Sequence, residues 1–173
     1  MQETAQQYIQ RILGYVEGQD AIKVQRATAA RLQKAVRGLT AKQLKWRPEP
    51  GKWSIAEIVA HLADTEIVAS WRMRSVIGEN GITIQPFDQD AWASAFQYGK
   101  RDVKRSLEIF RVRENNLALL KEIPRETWDN YGMHLERGKE TIAHLVRMFA
   151  GHDTNHILQI ERIVTQLKTK KRR

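Results

Sequence analysis

The four prolines of this chain, Pro48, Pro50, Pro86 and Pro124, all fall between its stretches of helical periodicity and never inside one. Proline inside a helix removes a backbone donor and clashes with the preceding turn, so these positions divide the chain into four helical blocks. In the first, about residues 4–36, Ala21, Val24, Ala27, Thr28, Leu32, Ala35 and Val36 recur at helical spacing. Gly14 and Gly18 weaken that block, which predicts one long helix with a kink or break near Gly18. The second opens on Ser54-Ile55-Ala56-Glu57, a capping box, and carries Ile55, Ile58, Val59, Leu62, Ile67, Val68, Trp71 and Val76 before stopping at Gly78. A short helix is expected over 89–95. The third block, about 102–122, then places Val103, Leu107, Phe110, Leu117 and Leu120 on one stripe. The fourth, about 141–167, carries Ile142, Leu145, Val146, Phe149, Ile157, Ile160 and Ile163.

No segment alternates with the period of a half-buried strand for long enough to matter. Residues 82–87 come nearest, and Pro86 makes them read as a loop. The fold class is therefore all-α, a four-helix bundle in one domain over 1–167, followed by a basic tail over 168–173. Joins of roughly ten to twenty residues exceed the usual 2–8 of up-and-down bundles, so a long crossover connection is expected.

Composition narrows the chemistry. The chain has no cysteine, which excludes disulfides, thiolate metal sites and a cysteine nucleophile, and fits a reducing, cytoplasmic setting. Its net charge of +9 makes nucleic acid a partner to weigh. Five of the six residues from Lys168 to Arg173 are basic, however, and without them the charge falls to +4. That tail is expected to fray in solvent. No helix-turn-helix, RNP or zinc-finger signature accompanies it, which argues against nucleic acid. The polar segment 1–7 does not read as a signal peptide, and no run is apolar enough for a membrane span.

Reactive chemistry then falls to the histidines His61, His134, His144, His152 and His156. His152 and His156 stand four apart on the fourth helix, one face with Cβ atoms about 6 Å apart, and can converge on one metal ion. His61 lies on the apolar face of the second helix. If it faces the same interior, the three supply a His₃ set with open positions for water or substrate. Core or surface placement is the plainer alternative for any one of them. His134 falls in an expected loop. His144 is about 80° around the helix from His152, a pocket neighbour or a surface residue. The stretch from His152 to His156 nearly spells H-E-x-x-H, but Asp153 is shorter than Glu and Glu161 lies about 140° away from His156, so a zincin site is rejected.

The segments Arg47-Pro-Glu-Pro-Gly-Lys-Trp-Ser-Ile-Ala-Glu-Ile-Val-Ala-His-Leu-Ala-Asp-Thr-Glu66, Gln85-Pro-Phe-Asp-Gln-Asp-Ala-Trp92 and Gly151-His-Asp-Thr-Asn-His-Ile-Leu-Gln-Ile-Glu161 resemble the DinB/YfiT-like superfamily. The resemblance covers about residues 20–165. It implies a four-helix bundle, often dimeric, with one divalent metal, typically nickel or zinc, on His61, His152 and His156. It also implies a metal-dependent enzyme acting on a small molecule. Some relatives are transferases using low-molecular-weight thiols such as mycothiol or bacillithiol, and others are described as hydrolases or damage-inducible proteins.

A His₃ ion with an open position could activate a thiol for transfer or a water for hydrolysis. Nickel, zinc and iron all suit such a set. A metal-bound but non-catalytic stress or ligand-binding module is the alternative from another class. Helical geometry adds pocket candidates. Glu57, Asp64 and Thr65 flank His61, with Glu57 already explained by the capping box. Arg72 is about 20° off the His61 face and could meet an anionic group or form an ion pair. Gln159 is placed to orient His156. Trp53, Trp71 and Trp92 read as core or pocket wall.

Overall fold

The fold was described from a computed structural model, for residues 3–171. Thr4 caps α1 (Ala5–Gly14) through a reciprocal capping box with Gln7. The backbone then turns through Gly18 at φ 69°, a left-handed conformation that suits glycine. The Asp20 carboxylate accepts the N–H groups of Ile22 and Lys23 to start α2 (Ala21–Val36). The first block is thus two helices, broken where the glycines weaken it. A single turn, α3 (Ala41–Leu44), precedes α4 (Ile55–Gly78). There Ser54 and Glu57 close the expected capping box. The chain continues through β1 (Thr83–Ile84), α5 (Gln89–Ala95), a 3₁₀ turn at Tyr98–Lys100, α6 (Val103–Phe110) and α7 (Val112–Glu122). It ends with β2 (Tyr131–His134), β3 (Gly138–Thr141) and α8 (Ile142–Lys171).

Three departures from the sequence reading have local causes. The third block is two helices, because the Arg111 N–H closes back on Glu108 in a tighter turn. A three-stranded sheet, in the order β1-β2-β3, stands where only loops were expected. Met133 pairs with Thr83 in a parallel register and with Lys139 in an antiparallel one. Strands of two and four residues are too short to show alternation, and their pairing is set by distant segments. His134 is consequently a strand residue. Finally, α8 does not fray after Leu167 but runs on to Lys171, with the Lys170 ammonium 4.5 Å from the Trp46 ring centroid. Residues 172–173 of the tail lie outside the described residues.

Helices α2 and α4 each pack against α8 and against the α6–α7 pair. Consecutive members α2 and α4 therefore face each other across the bundle, as do α7 and α8. The joins over 37–54 and 123–141 must cross its ends, which supplies the expected crossover. Helix α1 lies along α8, so close that a Cβ on Gly151 would come within 2.1 Å of the Ile12 carbonyl oxygen. Among the described residues no helix is long and apolar enough to cross a membrane.

The core falls into two apolar clusters. One gathers Ala69, Met73, Val76, Leu117, Leu120, Ile142 and Leu145. The other gathers Leu32, Ile58, Leu62, Phe110, Ile157 and Ile160. Between these clusters α4 carries Asp64, Thr65 and Glu66 and α8 carries the polar run His152 to His156, and a buried network fills part of the layer. Arg113 donates from Nε to Glu66 Oε2 and from Nη1 to Asp153 Oδ2, each at 2.7 Å. Asn116 donates to Glu66 Oε1 at 2.6 Å. Burial holds the Glu66 carboxyl above its ordinary range despite Arg113. For Asp153 burial pushes the same way, but Arg113 and His152 outweigh it and keep the carboxyl low.

Two substitutions test this packing. Arg113→Met should cost about 3–5 kcal/mol near neutral pH, because it strands two buried carboxylates. The loss should shrink in acid as the orphaned groups take up protons, which urea denaturation at two pH values would show. Gly151→Ala should cost about 1–3 kcal/mol by forcing α1 off α8, measured the same way.

Candidate metal centre

His61 is delivered by the middle of α4, where every residue from Ser54 to Glu66 is buried. His152 and His156 come from successive turns of α8. The His61 and His152 Nε2 atoms are 3.1 Å apart, and one nitrogen from each of the three rings lies within 4.8 Å of the others. Ring centroids are separated by 4.5 to 5.1 Å. All three side chains are enclosed, His61 at 1%, His156 at 7% and His152 at 9% exposure. Burial, then the neighbouring imidazoles, holds His61 well below its ordinary value. The same causes take His156 down to about 3. These two rings are therefore neutral at physiological pH, the state in which imidazole can donate a lone pair.

The donor geometry suits a metal ion. Two nitrogens about 2.0–2.1 Å from one ion, at an angle of about 90–110°, stand about 3 Å apart, as the His61 and His152 Nε2 atoms do. The His156 Nδ1 lies 3.0 Å from Gln159 Oε1, so Nδ1 donates there and Nε2 keeps its lone pair for the cluster. Trp53 stands against the rings, 5.0 Å from His61 and stacked on His156 at 6.4 Å.

A model of the DinB superfamily matches residues 26–160. The chain belongs to the DinB superfamily. Among its curated relatives in that superfamily, a protein of Oceanobacillus iheyensis is 25% identical over 130 residues, 75% of each chain. One of Geobacillus kaustophilus is 28% identical over 146 residues, 83% of this chain and 82% of its own. Both are provisionally named metal-dependent hydrolases. YfiT from Bacillus subtilis, described as a probable metal-dependent hydrolase with an unusual four-helix bundle topology, superposes with a TM-score of 0.80. It covers 86% of each chain at 23% identity, and so supports the DinB-type bundle fold.

In this DinB-superfamily chain His61 and His152 open onto a cavity of about 480 Å³, lined also by Thr65, Arg72, Phe87 and Arg137 among others, with His156 behind them. Thr65 Oγ1 lies 3.4 Å from His61 Nε2. Arg72 is buried and donates to the Gln85 carbonyl at 2.5 Å. No carboxylate pairs with it among the described residues, so the ion-pair alternative is not what forms. Two candidates are engaged elsewhere. Asp64 receives Arg101 at 2.7 Å on both oxygens, and Glu57 is held by Ser54 and Arg47. His144 is half-buried, 3.9 Å from Glu140, and stands outside the cluster. Trp71, expected in a core or pocket wall, lines a second cavity with Trp92 and is not core, being 73% exposed on the α4 stripe it shares with Ile67.

Sequence reasoning missed the β2–β3 turn, which brings Glu136 and Arg137 to the cavity, and the N-terminal residues Glu3, Thr4 and Tyr8 that line its mouth. His134 builds that turn. Its buried Nδ1 accepts the N–H groups of Glu136 and Arg137 at 3.2 and 3.3 Å. Burial, then Arg137, lowers His134 to about 4. The unfolded chain takes up this proton near the ordinary value of 6.5, so this residue contributes stability that rises with pH between about 4 and 6.5. An NMR ring titration should find His134 as the Nε2–H tautomer with a midpoint near 4.

Proposed function

We propose that the protein is a metal-dependent enzyme in which His61, His152 and His156 hold one divalent ion, and that it activates a nucleophile from solution against a small electrophile. The carrying observation is the meeting of three enclosed imidazoles, brought together from positions 91 residues apart in the chain, two of which, His61 and His152, line an open cavity. A divalent ion there would lower the pKa of a coordinated water or thiol and leave it nucleophilic near neutral pH. Nickel, zinc and iron all suit three imidazoles.

The chain's own residues do the positioning. Gln159 fixes the His156 tautomer, Trp53 limits the tilt of two rings, and Thr65 offers a hydroxyl beside His61. Each carboxylate beside the histidines on α4 and α8 is engaged by arginine: Glu57 by Arg47, Asp64 by Arg101, Glu66 and Asp153 by Arg113. None of these four is left free as a general base. A thiol yields its proton more readily than water and asks less of such a base. A low-molecular-weight thiol is therefore the first reading of the nucleophile. With no cysteine in the chain, the thiol must arrive from solution, in keeping with a cytoplasmic setting. Water, and hence hydrolysis, is the second reading, favoured by the names of the Oceanobacillus and Geobacillus relatives.

Protein purified without a histidine tag should carry one equivalent of divalent metal by elemental analysis. His61→Ala, His152→Ala or His156→Ala should abolish that equivalent, and a full equivalent retained by His61→Ala would overturn the site. Gln159→Leu should weaken metal affinity by about 10–100-fold. The metal-loaded enzyme should turn over electrophiles only when a thiol is added. Turnover without thiol would support water instead, and no turnover with metal bound would leave a binding module.

A further inference from the structure

Several arginines on and near the cavity are matched with carboxylates. Arg11 takes Glu3, Arg101 takes Asp64, Arg113 takes Glu66 and Asp153, and Arg137 takes Glu140. Arg72 lines the same cavity at 7% exposure and has no such partner among the described residues. A guanidinium carries five N–H donors, and the contact recorded for this one is Nη2 to the Gln85 carbonyl. A buried cation without a counter-charge is costly, which makes the position informative. Glu136 also lines the cavity, but it is an exposed rim residue and forms no ion pair with Arg72.

A second unpaired donor lies close to Arg72, behind the residues that line the cavity. The His134 Nδ1 is occupied by two backbone N–H groups, so its proton must sit on Nε2. That Nε2 is buried and has no acceptor. The two residues are neighbours through the sheet, since His134 pairs with Ile84 and Arg72 binds the carbonyl of the next residue, Gln85. Burial, and then Arg137, lowers the Arg72 guanidinium to about 10, against the smaller opposing pull of Glu140 and Glu136.

We infer that this corner is an oxyanion subsite, with Arg72 as the residue that recognises a carboxylate or phosphate carried by the substrate. This rests on the proposed reading of the histidine cluster as the reacting centre. Arg72 follows His61 by eleven residues on α4, about 16 Å along the axis and about 20° around it. A helical side chain leans toward the N-terminus, so the guanidinium reaches back toward the histidines along one wall of the cavity. A substrate several atoms long meets Arg72 with its anionic end and the histidines with its reacting end. Phe87, whose ring centroid is 5.7 Å from the Arg72 guanidinium, limits the fork's freedom to turn away.

The test uses the full chain stripped of metal with chelator, so that binding to an ion cannot contribute. Inorganic phosphate and succinate are titrated by calorimetry against chloride at matched ionic strength. Saturable binding with one site per chain is expected for at least one of the two, and which one distinguishes phosphate from carboxylate. Arg72→Gln should weaken it about tenfold or more, and Arg72→Lys, which keeps the charge and loses the fork, should fall between. Should Arg72→Gln fail to fold, the wild-type Arg72 Nε–Hε NMR correlation must shift with the bound anion. No saturable binding of either anion, or an Arg72→Gln protein that binds as the wild type does, would overturn the subsite. Metal titration of the same samples reports separately on the histidines, so a failure of the metal centre and a failure of anion binding at Arg72 give different results.

Discussion

Arg113 is the pivot on which the candidate centre turns. Its guanidinium reaches Glu66 on α4 and Asp153 on α8 from its own place on α7, tying three of the four bundle members at one level. Glu66 follows Thr65, which touches His61, and Asp153 follows His152. A slip of either helix against α7 would therefore break a buried ion pair and displace a histidine or its neighbour together. Buried ion pairs bring little stability over well-packed apolar side chains, whereas losing one partner is expensive. Register is what such an arrangement fixes.

That register is needed because the centre interrupts the core. Apolar clusters occupy both ends of the bundle, and the layer between holds imidazoles, carboxylates and an arginine at less than a tenth exposure. Each polar group there must be satisfied or stay neutral. The carboxylates are satisfied by arginine. His61 and His156 meet the demand by staying neutral, which is the form a metal requires. The Nδ1 atoms of His61 and His152 remain without partners, so the layer is incomplete on the histidine side and complete on the Arg113 side.

How much of this is legible in sequence depends on the range of the interaction. The α4 capping box, the break at Gly18 and the i,i+4 spacing of His152 and His156 are local and can be read directly. Gln159 was placed beside His156 by the same local geometry. Asp64 sits as close to His61 in sequence as Thr65 does, yet Arg101 draws it away, and nothing near position 64 announces a residue 37 positions later. The short strands are invisible for the same reason, because β1 and β2 are held by a partner about 50 residues away. Trp71 lies outside the core because a helical stripe records spacing and not which side the neighbours occupy. The DinB resemblance supplied the meeting of His61 with the later pair, which periodicity alone left open.

The absent cysteines and the surplus of basic residues meet in this cavity. Arginine matches the carboxylates beside the histidines, which removes them as proton acceptors and restrains the rings through their neighbours. Under the proposed function this favours a nucleophile that is easily deprotonated, and with no cysteine in the chain a thiol would come from outside it. The same surplus leaves Arg72 lining the cavity with no carboxylate in ion-pair contact among the described residues. Much of the net charge of +9 lies in the C-terminal segment and concerns the surface. The Arg72 guanidinium, on the same cavity as His61 and His152, bears more on chemistry, because a charge enclosed by protein is screened far less than the exposed Lys168 and Lys170 near the end of α8.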